Sequence, residues 1–153
     1  MKANELPSQN DPIPGGVYDL AVKEIERRVS ETSKLSYLNI QYSVVSGEHK
    51  GAIIFDMVSL SPKALWKVKN IMLAFGEGDI ELEIEKGIDG YIVDELAVSE
   101  TISQAISGRK VEASVVVRPE NKEKGWKARN EIEEYLPVSS TVKEPRDSKG
   151  WED

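Results

Sequence analysis

An alternation of apolar and polar residues within the segment 35–45, strict from Leu38 to Val44, constrains the fold of this chain most. Successive side chains of a strand point to opposite faces. One face of this segment therefore carries four apolar residues, which are Leu38, Ile40, Tyr42 and Val44. The other face carries Tyr37, Asn39, Gln41 and Ser43. The pattern predicts a strand that is buried on one side, with Tyr42 in the core, and faces solvent on the other.

Other segments divide into strand-like and helix-like runs. Breaker-free runs rich in β-branched residues predict four more strands, at 17–29, 52–60, 109–118 and 126–136. Because 52–60 is apolar on both faces for part of its length, it is predicted to be central, with Phe55 in the core.

Two helices are predicted between the third and fourth strands. Ser61 as the N-cap and Pro62 at the first helical position begin one helix, which Gly76 or Gly78 ends. Its apolar residues recur at spacings of three and four, and Trp66 is expected to be buried there. Residues 94–106 form the second helix. The alternation over 81–85 fits either a short strand or a helical turn.

The order of these elements predicts a mainly β fold with a helical insert. Five strands with helices between strands 3 and 4 outline a five-stranded OB-fold barrel, although other five-stranded barrels fit the same order. The expected organisation is an extended lead-in over 1–16, one domain over 17–138 and a flexible tail over 139–153.

Composition excludes several classes of site. The chain has no cysteine and one histidine, His49, so disulfides, thiolate sites and multi-histidine metal sites are excluded. No phosphate loop, metalloprotease helix or nucleophile elbow is present, so we expect neither a cofactor nor catalysis. A nuclease that holds Mg²⁺ with carboxylates alone stays an open alternative. No apolar run reaches about 20 residues and no signal core begins the chain, so a soluble, intracellular protein is expected.

Acidic residues are concentrated in one part of the chain. Nine acids stand against Lys86 between residues 77 and 100, and this excess accounts for the net charge of −7. The pattern favours a solvated face. Two alternatives are a surface that repels DNA and a module that binds a basic partner or mimics DNA.

Aromatic and basic residues occur together on the strand-like segments, as unpaired nucleic acid requires. Rings stack on bases for about 1–3 kcal/mol each, and cations meet the phosphates. Tyr37 and Trp126 are the predicted stacking platforms. The predicted polar and basic contacts are Arg27, Lys34, Asn39, Gln41, Lys50, Arg109, Lys122, Lys124, Lys127 and Arg129. Further cations on strand ends or loops are Arg28, His49, Lys110 and Arg118.

A series of short motifs resembles a known group of proteins. The motifs are Pro14-Gly15-Gly16-Val17-Tyr18, Lys34-Leu35-Ser36-Tyr37-Leu38, the hairpin from Ser46 to Asp56, Trp66-Lys67, Ala74-Phe75-Gly76, Arg129-Asn130-Glu131-Ile132 and Tyr135-Leu136-Pro137. Their order over residues 12–138 is similar to that of phage and prophage single-stranded DNA-binding proteins. The resemblance implies an OB-fold that coats single-stranded DNA during phage replication or recombination in the cytoplasm of the bacterial host. Glu131, Glu133 and Glu134 depart from the basic residues expected on the last strand.

The last residues of the sequence add an expectation about partners. Trp151, Glu152 and Asp153 resemble the C-terminal peptides by which bacterial and phage single-strand binders recruit replication enzymes. An aromatic anchor would enter a pocket while the acids meet a basic rim. We therefore expect replication or recombination proteins as partners of the tail, and a homo-oligomer or cooperative binding on DNA.

Overall fold

The computed structural model describes residues 1–3, 12–125 and 127–136. In these residues the fold is mainly β with two α-helices. The strands are β1 (Gly16–Val29), β2 (Ser36–Val44), β3 (Ile53–Ser59), β4 (Ile84–Gly87), β5 (Gly90–Val93), β6 (Lys110–Arg118) and β7 (Arg129–Tyr135). The helices are α1 (Leu65–Ala74), preceded by a 3-10 turn at Pro62–Ala64, and α2 (Glu95–Ile106).

The five longer strands form one antiparallel sheet in the order β3-β2-β1-β6-β7. Strand β1 is shared: residues 16–21 pair with β6, and residues 20–29 pair with β2. A register shift between Val22 and Glu24 marks a bulge where the pairing passes from one neighbour to the other. A bulge bends a strand and increases its twist, so β1 curls the sheet around the core.

The sheet stays open along one seam. Among the described residues no ladder of strand pairing joins β3 to β7, so these two strands are its edges and the barrel is not closed. The prediction of a central third strand is therefore wrong. Among the described residues β3 pairs with β2 alone, and its outward residues Phe55 and Met57 stay exposed.

Both predicted helices are confirmed, with the expected buried stripe on α1. Val68, Met72 and Phe75 are buried in the core. Gly76 follows the end of α1 with φ of 77°, a left-handed conformation that favours glycine. Ser61 does not cap the helix, because its side chain makes no capping bond and α1 begins only at Leu65. Asp94 caps α2 by accepting a hydrogen bond from the Ala97 amide at 3.2 Å.

The ambiguous segment 81–85 leads into a strand. Ile84–Gly87 pairs with Gly90–Val93 in a separate two-stranded hairpin. Leu82 and Ile84 are half-buried against the core, whereas Glu81, Glu83 and Glu85 are exposed. The alternation is therefore that of a surface strand with one packed face.

Candidate nucleic-acid interface

The outward face of β2 carries the polar residues that the sequence placed there. Tyr37, Asn39 and Gln41 are half-buried and point outward, whereas Leu38 and Ile40 point into the core. This confirms the alternation over 35–45. We refer to the outward side of β1, β2 and β3 as the outer face.

Strand β3 adds two large apolar side chains to the outer face. Phe55 lies opposite Gln41, and Met57 lies opposite Asn39. Phe55 is 49% exposed and Met57 is 64% exposed. The prediction that Phe55 belongs to the core is therefore wrong. The signal in the sequence was Asp56, whose buried carboxylate shares the inward side with Ile54 and Val58 and so directs Phe55 outward.

Arg28, and not Arg27, is the arginine of β1 on the outer face. Arg28 lies opposite Tyr37 and forms an ion pair with Glu26 at 2.7 Å. The hydrogen bond to Glu26 raises the pKa of the Arg28 guanidinium, and Tyr37 contributes in the same direction. Arg27 lies on the opposite face, where its Nη1 donates to the Ser36 Oγ at 2.8 Å. The selection of Arg27 is corrected by this one-residue shift in strand register.

Two depressions meet at Met57 on the outer face. The first, of about 990 Å³, lies beneath the β1–β2 loop and includes Arg28 and Tyr37 in its lining. The second, of about 480 Å³, is the cleft between the edges β3 and β7 and includes Asn39 and Arg129. The structure thus brings Tyr37, Asn39 and Arg129 to one continuous surface.

A polar cluster adjoins that cleft, because its members Asp56 and Lys67 are among the residues that line the cleft. Tyr135 donates to the Asp56 Oδ2 at 2.5 Å, and the Lys67 Nζ donates to the Asp56 Oδ1 at 2.7 Å. The two phenol oxygens of Tyr42 and Tyr135 are 2.9 Å apart. Because the Tyr135 hydrogen goes to Asp56, Tyr42 is the donor to Tyr135. Burial raises the pKa of both phenols well above the ordinary value.

The predicted loop lysines fall at both ends of the sheet. Lys34 is exposed in the β1–β2 loop, beside the Tyr37 end of β2. Lys50 lies in the loop that follows β2, at the end away from Tyr37. Lys122, Lys124 and Lys127 are exposed between β6 and β7.

Arg129 and Glu131 share a charged cluster on β7. Glu131 accepts hydrogen bonds from Arg118 and Arg129, each at 2.8 Å, and these bonds lower the pKa of the Glu131 carboxyl. The acidic departure on the last strand is therefore partly neutralised within the strand pair β6–β7.

The Arg109 guanidinium makes several contacts within the protein. It forms an ion pair with Glu77 at 2.5 Å and donates to the Phe75 carbonyl at 2.5 Å and the Ala105 carbonyl at 3.2 Å. Its CZ atom also lies 5.8 Å from the centroid of the Phe75 ring. These contacts at the ends of α1 and α2 take three of the five N–H donors of Arg109, and its contact with phosphate stays a prediction.

Several residues of the acidic segment also have structural contacts. Glu77 pairs with Arg109, Glu83 accepts from Thr101, and Glu95 accepts from the Ser36 amide at 3.0 Å. With the cap at Asp94, these contacts tie the segment to α2 and β2. Asp79, Glu81, Glu85, Asp89 and Glu100 are exposed.

The sequence predicted that Trp66 is buried and that Trp126 stacks on bases. Trp66 is 64% exposed on α1, so its assignment to the core is wrong. Its neighbours Lys67 and Val68 turn toward the sheet instead. Trp126 lies outside the described residues, as do Trp151, Glu152, Asp153 and the rest of the predicted tail 139–153.

Within the described ranges, no group of three or more His, Asp or Glu side chains is arranged to hold a metal ion. No helix among the residues that the structure describes has the length and apolarity to cross a membrane.

Comparison with known proteins gives the family. A family model described as a protein of unknown function (DUF669) matches residues 1–145. The chain belongs to the DUF669 family. The match covers the whole outer face and both helices. A search of curated proteins finds no match to the chain.

Proposed function

We propose that this DUF669 protein is an OB-fold that binds single-stranded DNA without sequence preference. An OB-fold is a five-stranded, partly open Greek-key barrel that binds oligonucleotides on strands 2 and 3 and on two flanking loops. The topology supports this assignment, since β1 pairs with both β2 and β6 and the edges β3 and β7 meet without a ladder. The flanking loops would be β1–β2 and β6–β7.

One observation carries the proposal: Phe55 and Met57 stay exposed on the outer face of β2 and β3, which also carries Tyr37. Large apolar side chains grouped on a surface mark a binding site more often than a requirement of folding. Rings accept any base by stacking, so such a face suits a ligand of variable sequence. Asn39 and Gln41 between them supply hydrogen-bonding groups.

The charges limit how strongly salt affects this binding. Glu24 and Glu26 lie on the same face as Tyr37, opposite Gln41 and Asn39. Phosphate contacts therefore fall mainly to the loop lysines Lys34, Lys122 and Lys127. Each phosphate contact with a single strand contributes about −0.7 to the slope of log K against log salt, so three contacts give roughly −2.

The biological setting rests on the resemblance to phage and prophage single-strand binders. In that setting the protein would coat DNA during replication or recombination in the host cytoplasm, as a homo-oligomer or cooperatively, without catalysis or a cofactor. Residues 151–153 would recruit replication or recombination proteins.

The test is a fluorescence-anisotropy titration of labelled oligo-dT of about 20 nucleotides at low salt. Phe55→Ala is expected to weaken binding about 5- to 100-fold, because one stacking contact is lost. Phe55→Tyr should retain binding, whereas Phe55→Leu, which keeps apolar bulk without a ring, should not. Ile88→Ala is the matched control, since Ile88 is fully exposed on the β4–β5 turn. No binding by the parent protein, or equal binding by all variants, would overturn the proposal.

The rival assignment is an acidic protein-binding module formed by residues 77–100. The exposed acids Glu81 and Glu85 discriminate the two, because both point away from the core. The charge reversals Glu81→Lys and Glu85→Lys should leave DNA affinity intact or raise it slightly under our proposal. Under the rival assignment the same substitutions should abolish binding of the basic partner.

A further inference from the structure

A second surface lies between α1 and the β4–β5 hairpin. The two enclose a groove of about 570 Å³, whose floor includes Leu65, Met72, Leu82 and Ile84. None of the residues that line it belongs to the five-stranded sheet. The groove is therefore separate from the outer face.

Apolar side chains line this groove although solvent reaches them. Trp66 is 64% exposed, Tyr91 is 50% exposed and Leu73 is 45% exposed, and all three line the groove. The core is complete without them, since Val68, Ile71 and Met72 are the residues of α1 that pack inward. A contiguous exposed apolar surface of this kind is typical of a protein-binding site.

Two lysines and one acid are the charged side chains that line the groove. Lys63 and Lys69 line it, and neither makes an ion pair with any described residue. Lys86 lies directly opposite Tyr91 on the face of the hairpin that carries Ile84. The acid in the lining, Glu77, is paired with Arg109. Glu81, Glu83 and Glu85 alternate with the groove residues and are exposed.

We propose that this groove binds an acidic peptide segment that carries a bulky apolar anchor. The anchor would lie against Trp66, Leu73 and Tyr91, and its flanking carboxylates would meet Lys63 and Lys69. Such an arrangement combines a desolvated anchor with complementary charges at the rim.

Two labelled peptides test this proposal by anisotropy with the full chain. One has the sequence of residues 147–153, Asp-Ser-Lys-Gly-Trp-Glu-Asp, which has the required chemistry. The other is a designed peptide with a Trp-Leu pair between aspartates. The chain is used with Trp151→Ala, so that its own tryptophan does not compete. Binding of either peptide is expected to saturate and to weaken about tenfold or more when the anchor is replaced by alanine.

Groove variants locate the site. The pair Trp66→Ala and Leu73→Ala, and separately the pair Lys63→Glu and Lys69→Glu, should each weaken the peptide about tenfold. Lys23→Glu, an equal charge change at an exposed residue outside the groove lining, should not. Both groove pairs should keep the affinity for oligo-dT, which separates this proposal from that of the outer face. Failure of both peptides to bind, binding that survives both groove pairs, or self-association that depends on Trp66 would overturn it.

Discussion

The Tyr135 hydroxyl donates a hydrogen bond to the buried Asp56 carboxylate, and this contact joins the two edge strands of the sheet. Within the described residues no backbone ladder connects these edges. Lys67 reaches the other carboxylate oxygen from α1, and Tyr42 donates to Tyr135 from β2. Four side chains from three strands and one helix thus hold the seam, and two of them, Asp56 and Lys67, line the cleft beside Phe55.

Removing one donor from this cluster should destabilise the fold. We expect Tyr135→Phe to lower the free energy of unfolding by about 1.5–3 kcal/mol, because a buried charged acceptor loses its hydrogen bond. Urea unfolding measures this. Tyr18→Phe is the control, because Tyr18 donates to the Pro14 carbonyl at an exposed position, and it should cost less than about 1 kcal/mol. Equal effects of the two substitutions would contradict a special role for the cluster.

The same cluster predicts a steep loss of stability in alkali. Burial raises the pKa of Tyr42 and Tyr135, so the folded state favours the neutral phenols. Their contribution is complete below the unfolded pKa of about 10 and is lost as the pH rises above it. In urea unfolding from about pH 9 to about pH 11, Tyr135→Phe should make the decline shallower by roughly 1.4 kcal/mol over the whole range, which is about 0.7 kcal/mol per pH unit on average. Ile88→Ala, at a fully exposed residue without an ionisable group, should leave the slope unchanged.

Arg109 should matter for stability and not for DNA. Arg109→Gln removes the ion pair with Glu77 and the bonds to two backbone carbonyls, so we expect a loss of about 1–3 kcal/mol. The affinity for oligo-dT should stay within about twofold of the parent at a temperature where the variant is folded. If Arg109→Gln folds normally but no longer binds oligo-dT, Arg109 contacts the DNA.

Glu26 should restrain binding on the outer face. It holds Arg28 in an ion pair and lies opposite Asn39. We expect Glu26→Gln to tighten binding to oligo-dT several-fold, because a repulsive charge is removed and Arg28 is released to a phosphate. The slope of log K against log salt should steepen by about 0.7. Glu48→Gln, at an exposed acid in the β2–β3 loop, should change neither the affinity for oligo-dT nor the salt slope. An equal gain in affinity from both substitutions would mean that the net charge of the protein, and not the position of Glu26, sets the affinity.

Particular residues show how far the sequence predicts this structure. The alternation over 35–45 correctly predicted the inward and outward residues of β2, and the spacing of Val68, Met72 and Phe75 correctly predicted the buried side of α1. Phe55 and Trp66 were misplaced, because large apolar residues were assumed to be covered. Arg27 was chosen in place of Arg28, because the sequence does not show where the bulge between Val22 and Glu24 shifts the pairing.

The sequence by itself determined the five strands of the sheet, the two helices and the side of β2 on which each residue lies, since these follow from local periodicity. Only the tertiary structure decided which sides are covered, because burial depends on what packs against a surface from elsewhere in the chain. Strand β3 became an edge and left Phe55 and Met57 in solvent, while the approach of β7 buried Asp56 against Tyr135. The Arg109 guanidinium is held by the Phe75 and Ala105 carbonyls and by the Glu77 carboxylate, which belong to segments far apart in the sequence.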